Sequence, residues 1–313
     1  MKGLELSRKF YNELGEPMLR EQFPELLPFV AVGLVGSGSE CYGYDDKISR
    51  DHDFEPAFCI FIPDEDIVDS KTAFELERAY SRLPKQFMGF ERSLVSAVGG
   101  SRHGVIRIGD FFEAKTGRRD GELSLVDWFS VPEYSLAESV NGAIFADNYG
   151  EFTKIREKLR YFPEDVRLKK LAGSLLLMGQ AGQYNFKRCL ARGENAAAQL
   201  AVFEFVKSAL GAVFLLNKTY MPYYKWSFRA LSALPRLSEL SAELEHLISS
   251  GNSKAEADNK IDAIERICAE VSAELKAQGL TKHTSSEMEA QAYIVNDAIS
   301  DGEIRNMHIL SAV

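Results

Sequence analysis

A glycine- and serine-rich turn between two apolar segments restricts the fold of this chain more than any other feature. The turn reads Gly36-Ser37-Gly38-Ser39, and the apolar segments cover residues 29–35 and 57–62. Short apolar runs bounded by turn residues are typical of buried strands. Glycine adopts backbone conformations that other residues avoid, and its N–H group can approach a phosphate closely. The pattern therefore predicts a strand, an anion-accepting turn and a second strand.

Two aspartates stand shortly before the second apolar segment, in Asp51-His52-Asp53-Phe54. If this stretch is extended, alternation places Asp51 and Asp53 on one face, about 7 Å apart. Paired carboxylates are costly unless a cation neutralises them, and oxygen ligands suit Mg²⁺. We therefore expect Asp51 and Asp53 to be metal ligands. An acidic turn that only contacts solvent is the alternative.

The turn and the acid–x–acid pair together resemble the polymerase β-like nucleotidyltransferase superfamily. The resemblance implies Mg²⁺ as cofactor and an NTP, with ATP as first choice, as donor substrate. It also implies that Gly36, Ser37 and Ser39 contact the phosphates. A tight turn without a ligand is the alternative for each glycine.

A second resemblance covers nearly the whole chain. It rests on residues 33–40, 49–54, 161–166, 182–185, 215–218 and 222–226. These segments look like a largely uncharacterised bacterial family of nucleotidyltransferase-like proteins with a helical C-terminal domain. Membership would imply the fold, but it leaves the acceptor substrate open.

Proline and apolar patterning divide the 313 residues into two parts. Seven of the ten prolines precede residue 140, together with the short apolar runs, whereas long helical patterns follow. We predict an α+β protein: a nucleotidyltransferase-like α/β domain with a small mixed sheet over residues 1–150, and an all-helical bundle over residues 151–313. Helices are expected at 4–14, 72–83, 163–192 and 253–278, with a further one ending near 216, and a third strand at 104–108.

Composition restricts partners and location. The formal charge of −9 argues against a broad electrostatic grip on nucleic acid. The apolar helix near 196–216 contains Glu204 and Lys207, so we expect a core helix and no membrane span. Four cysteines without metal-like or disulfide-scaffold spacing suit a reducing cytoplasm, which is the predicted location.

The superfamily resemblance implies a third catalytic acid on the next strand, but residues 104–108 contain none. Asp110, just beyond, is the first candidate, and an N-cap for a helix beginning at Phe111 is its alternative. Asp127 is a later candidate. Glu204 is a candidate general base, because burial among apolar neighbours would raise the pKa of its carboxyl. Pairing with a lysine or arginine across a helix interface is the alternative for Glu204.

A polar stripe in the helix predicted at 163–192 supplies further binding candidates. Gln180, Tyr184 and Arg188 are spaced by four and share one helix face. We expect this face to contact the triphosphate or the acceptor, and a solvated face is the alternative. The aromatic segment 223–226 could stack a base, but we expect it to belong to the core.

The sequence thus predicts a cytoplasmic, Mg²⁺-dependent nucleotidyltransferase that moves an NMP from an NTP to a hydroxyl of an unidentified small molecule. Its candidate catalytic residues are Asp51, Asp53, Asp110 and Glu204. The alternatives are transfer to a protein or tRNA, and a nucleotide-binding protein that is weakly active or inactive.

Overall fold

The computed structural model describes residues 1–48, 54–92 and 103–313. The chain forms two compact units: Met1–Asp127 with Ser135–Arg160, and Trp128–Tyr134 with Tyr161–Val313. The first unit contains the sheet, and the second is helical. The fold is therefore α+β, with a small mixed sheet and a helical C-terminal region, as the sequence predicts.

The first unit combines a four-stranded sheet, a short hairpin and helices. The strands are β1 Ala31–Leu34, β2 Cys59–Ile62, β3 Gln86–Phe87, β4 Phe90–Glu91, β5 Gly104–Arg107 and β6 Ala143–Asp147. The helices are α1 Gly3–Phe10, α2 Glu16–Gln22, α3 Ser70–Ser81, α4 Ile108–Thr116 and α7 Glu151–Lys158; α5 Leu125–Ser130 and α6 Glu133–Val140 have residues in both units. A π-helical turn at Tyr11–Gly15 follows α1 directly. The strand predicted at 104–108 and the helix predicted at 72–83 are thus confirmed.

The sheet has the strand order β5-β2-β1-β6. β1 is antiparallel to β2 and β6, and β2 is parallel to β5. Gly33 pairs with Cys59, which pairs with Gly104, and Leu34 pairs with Ala143. The end of β1 and the starts of β2, β5 and β6 therefore lie together at what we call the turn end of the sheet. β2 and β5 both finish at the opposite, far end.

Both faces of the sheet are covered within the first unit. Every residue of β1 and β2 is buried. Val32 and Ile60 join a core cluster with Phe10 and Leu76 from the helices on one face. On the other face the ring of Phe61 contacts Phe111 and Phe152, among others. Burial on two faces explains the continuous apolar runs, because fully burying each such side chain contributes roughly 1.5–3 kcal/mol.

The second unit is built from helices. They are α8 Glu164–Met178, α9 Lys187–Ala191, α10 Asn195–Leu216, α11 Tyr224–Leu231, α12 Ser241–Ser249, α13 Lys254–Ala277, α14 Met288–Asp297 and α15 Gly302–Asn306. A π-helical segment, Gly179–Phe186, joins α8 to α9, so the helix predicted at 163–192 is continuous but changes its hydrogen-bonding period in the middle. Gly193 and Gly279 have positive φ angles of 76° and 72°, which fits their predicted role in ending helices.

One helix in the described ranges has the length and hydropathy to cross a membrane. This helix is α10, and 61% of its apolar window is buried inside the structure. Such burial is the usual property of a core helix in a soluble protein, since a membrane span would turn its apolar surface toward lipid.

Candidate functional site

The glycine–serine turn leaves β1 at the turn end of the sheet. Gly36 and Gly38 have φ angles of 99° and 130°, backbone conformations that residues with a Cβ rarely adopt. The amide of Asn141, just before β6, clamps the turn. Its Oδ1 accepts from the N–H of Gly36 and its Nδ2 donates to the carbonyl of Gly36, both at 2.8 Å. The turn is therefore held by a reciprocal pair of hydrogen bonds from a distant part of the chain.

The next residues of the turn present unused donors. In the part of the chain that the structure describes, the backbone N–H groups of Gly38 and Ser39 have no hydrogen-bond acceptor. Ser37 is exposed, whereas Gly36 is buried. Successive free N–H groups in a tight turn form a concavity that suits anionic oxygen. The N–H of Gly36, which Asn141 occupies, is not part of this concavity.

The segment that leads into β2 carries the predicted metal ligands. Asp51 and Asp53 lie outside the described residues. Glu55, two positions after Asp53, is described and belongs to the turn end of the sheet, because β2 begins there. Its Oε1 lies 3.1 Å from Nδ1 of His103, which directly precedes β5. The two side chains are only 15% and 11% exposed.

Glu55, His103 and Asn141 are not among the site residues predicted from the sequence. Glu55 continues the alternating acidic pattern of Asp51 and Asp53, and this pattern could have indicated it. His103 and Asn141 have no comparable signal, since the strand pairing alone brings them to this end of the sheet.

A metal site fits the donor chemistry of this segment. Asp51 and Asp53 supply carboxylate oxygens, which Mg²⁺ prefers. The described residues by themselves contain no group of three or more His, Cys, Asp or Glu side chains arranged to hold a metal ion. Asp51 and Asp53 therefore stay the predicted ligands of a metal at the turn end.

Asp110 lies at the far end of the sheet, because α4 begins directly after β5. The length of the strands, roughly 10 Å, separates it from the turn end. Its carboxylate pairs with Arg119, which also contacts Glu113 at 3.2 Å and Asp64 at 2.5 Å. Asp110 belongs to the first turn of α4, and the N-cap position is occupied by Arg107. The structure therefore does not bring Asp110 together with Glu55 or the turn.

Asp127 has a local structural role in the first turn of α5. Its carboxylate accepts hydrogen bonds from the N–H and hydroxyl of Ser124 at 2.9 and 2.8 Å, and it pairs with Arg118 at 2.9 Å. The Arg118 hydrogen bond and the bonds from Ser124 hold the pKa of Asp127 at about 2. A carboxyl with such a low pKa is a poor proton acceptor at neutral pH.

Glu204 is less buried than its apolar neighbours in the sequence suggest. Its side chain is 42% exposed on α10, and its carboxylate lies 4.0 Å from the ammonium of Lys207. The prediction that Glu204 is buried is therefore wrong. Its carboxylate pairs with a lysine, as in the alternative, but this lysine belongs to the same helix. The apolar residues that flank Glu204 in sequence point to other faces of α10.

The predicted polar stripe is exposed on the second unit. Gln180, Tyr184 and Arg188 are all exposed, and the guanidinium of Arg188 lies 4.8 Å from the centre of the Tyr184 ring. Tyr184 also borders a cavity of about 480 Å³. The cavity is lined by Gly179, Gln183, Tyr184, Glu265, Ser285, Ser286, Glu287 and Glu289. Carboxylates in this lining would repel a triphosphate, so contact between the stripe and phosphate stays a prediction.

The aromatic segment is not core, in contrast to our expectation. Tyr223 and Tyr224 are 41% and 74% exposed. Their rings lie 4.5 Å apart, and Tyr134 contacts Tyr223 edge to face at 5.3 Å. Tyr223 immediately precedes α11, so the helix buries its following residues, including Ser227, and leaves the two tyrosines outside.

Comparison with known proteins gives one match. Residues 128–227 match the family described as Domain of unknown function (DUF4037). No curated protein and no solved structure matches the chain significantly. The matched segment extends from α5 into α11 and does not include the Gly36–Ser39 turn. Over this segment the chain therefore resembles a domain whose function has not been defined.

Proposed function

We propose that this protein is a cytoplasmic, Mg²⁺-dependent nucleotidyltransferase that moves an NMP from an NTP, with ATP as first choice, to a hydroxyl of a small molecule. One observation carries the proposal. The sheet register places the Gly36–Ser39 turn at the same end as the start of β2, the strand that follows Asp51 and Asp53. The turn expected to bind phosphate and the start of the strand that follows the expected metal ligands therefore share one end of the sheet.

Each part has a separate task in this reaction. Bound between Asp51 and Asp53, Mg²⁺ would supply charge stabilisation for the triphosphate during transfer. The N–H groups of Gly38 and Ser39 would donate to phosphate oxygens, and Ser37 is a further proposed contact to the phosphates. Asn141 acts indirectly, because its two hydrogen bonds keep Gly36 in the conformation that the turn requires. Gln180, Tyr184 and Arg188 remain proposed contacts to nucleotide or acceptor.

The third acid needs a different first candidate. Asp110 stands at the far end of the sheet, and Glu204 is half-exposed beside Lys207. Glu55 lies at the turn end, and its carboxylate contacts the ring of His103, a group that can accept or donate a proton. We therefore place Glu55 first, with His103 as its partner, followed by Glu204 and Asp110.

Binding without turnover is the second candidate function. It is favoured by the position of Asp110 at the far end of the sheet and by the pairing of Asp127 with Arg118 and Ser124, because neither of these two described acids is placed to act as the third carboxylate. Transfer to a protein or tRNA is a further possibility for the acceptor. The charge of −9 favours a small acceptor over tRNA.

A nucleotide-binding experiment tests the proposal. Thermal unfolding is followed with each NTP, in Mg²⁺ and in EDTA. NTP should stabilise the wild type more in Mg²⁺, because a ligand that binds the folded state adds RT ln(1 + [L]/Kd). Asp51→Asn combined with Asp53→Asn should remove the Mg²⁺-dependent part, and the exposed Asp66→Asn should retain it. Equal NTP stabilisation in EDTA, or none at millimolar NTP, would contradict the metal assignment.

Pyrophosphate release then separates the two candidate functions. Release with an acceptor present, and its loss in Asp53→Asn, would establish transfer. Tight binding of Mg²⁺–NTP without release for small-molecule, protein and tRNA acceptors would favour the binding protein.

A further inference from the structure

A pocket lined by two arginines opens beside β6 in the first unit. Its volume is about 280 Å³, enough for about nine water molecules at the density of the liquid. The lining comprises Val140, Ile144, Thr153, Arg156, Glu157 and Arg160. Arg156, Glu157 and Arg160 follow Thr153 by three, four and seven residues along α7 and the turn after it, so the four share one face. The pocket is therefore a product of α7 lying against β6.

Arg156 is a half-buried cation with donors to spare. One guanidinium nitrogen, Nη2, donates to the carbonyls of Val140 and Asn141, the latter at 2.8 Å. In the described ranges its Nε and Nη1 have no acceptor, and no carboxylate forms an ion pair with it. Burial lowers the pKa of Arg156, and the charge of the neighbouring Glu157 opposes this shift only in part. A bound anion would supply the missing acceptors and the missing charge.

Arg160 stands at the pocket rim with a weak partner. Its guanidinium pairs with Glu157 at 3.0 Å, and both side chains are largely exposed, at 76% and 58%. Exposed ion pairs of this kind contribute at most about 1 kcal/mol, so Arg160 can exchange Glu157 for another anion. Two planar guanidinium groups at one pocket match the several oxygens of a phosphoryl group.

We propose that this pocket binds a phosphoryl group, carried by a small phosphorylated compound or by inorganic phosphate or pyrophosphate. A singly charged carboxylate would be balanced by Arg156 alone, and Glu157 would oppose it. A phosphoryl group carries enough negative charge to engage both arginines. The pocket lies beside the start of β6, at the turn end of the sheet, and Asn141 contacts both Arg156 and Gly36. The proposal does not depend on nucleotidyl transfer.

The test is titration with pyrophosphate, phosphate and acetate in EDTA at constant ionic strength, by calorimetry and thermal unfolding. Pyrophosphate should bind the wild type more tightly than acetate. Arg160→Gln should weaken pyrophosphate binding about ten-fold, the effect of losing one charge-assisted hydrogen bond. Glu157→Gln should strengthen it, because it removes a competing and repelling carboxylate. Arg20→Gln, which removes an exposed arginine from a similar pair with Glu16, should leave it unchanged.

These variants keep the proposal open to refutation even if Arg156→Gln fails to fold after losing its bonds to the carbonyls of Val140 and Asn141. Equal pyrophosphate affinity in wild type, Arg160→Gln and Glu157→Gln would overturn it. An equal loss of pyrophosphate affinity in Arg20→Gln would also overturn the proposal, because the anion would then be attracted by positive charge in general. The titration is repeated in Asp53→Asn. Unchanged binding there supports the pocket, whereas tighter binding, which follows from removing a carboxylate that repels the anion in EDTA, would assign the anion to the Asp51–Asp53 site.

Discussion

The carboxyl of Glu133 should make the stability of the second unit depend on pH. Glu133 begins α6, and its Oε1 accepts a hydrogen bond from the N–H of Met221 at 2.7 Å. Burial raises the pKa of Glu133 to about 7, against the smaller opposing effects of the Met221 bond and the charge of Lys170. Lys170 has other partners, because its ammonium donates to the carbonyl of Ala312 at 3.1 Å.

The sign and size of the effect follow from proton linkage. Between the ordinary pKa of 4.5 and about 7, the folded state binds this proton more strongly than the unfolded state does. Stability from this group is therefore fully present below pH 4.5 and falls as the pH rises toward 7. A difference of about 2.5 in pKa corresponds to about 3 kcal/mol, at 1.36 kcal/mol for each unit.

Glu133→Gln should remove the loss of stability that accompanies deprotonation of Glu133. The glutamine keeps a side-chain oxygen that can accept from the N–H of Met221. We expect the variant to be more stable than the wild type by up to about 3 kcal/mol at pH 8, and nearly equal at pH 4.5. Urea unfolding followed by tryptophan fluorescence suits the measurement, because Trp128 and Trp226 both belong to the second unit. Glu245→Gln, an exposed change in the same unit, is the matched control. A gain that does not vary with pH, or a loss at pH 8, would refute the linkage.

Three further predictions concern buried and site residues. Lys169→Met should destabilise the second unit by roughly 2–4 kcal/mol in the same unfolding assay. The reason is that the fully buried ammonium donates to three oxygens. A loss of stability below about 1 kcal/mol would show that these hydrogen bonds contribute little. Asn141→Ala should reduce NTP-dependent thermal stabilisation while circular dichroism stays unchanged, and an unaltered NTP shift would show that the clamp on Gly36 is dispensable. With an acceptor in hand, Glu55→Gln should slow transfer by about 10²–10⁴ if Glu55 is the general base, whereas Asp110→Asn should stay near wild type; the reverse order would restore Asp110 as the third acid.

Local sequence patterns were sufficient for most of the secondary structure. The apolar runs at 29–35 and 57–62 contain β1 and β2, because a strand buried on both faces needs no alternation. The helix predicted at 253–278 is α13, which Ser253 caps and Gly279 follows. These signals lie within a few residues of the element they determine, so one sequence is enough to find them.

The placement of side chains relative to one another was decided by the tertiary structure. Asp110 follows a strand close in sequence to the expected site, yet the parallel pairing of β2 with β5 puts it at the far end of the sheet. The same pairing brings His103 to Glu55, and the antiparallel pairing of β6 with β1 brings Asn141 to Gly36. Strand order and register are set by packing between distant segments, which leaves no trace in local periodicity. The turn and the aspartate pair could therefore be proposed from sequence, but the contacts that Glu55, His103 and Asn141 make could not.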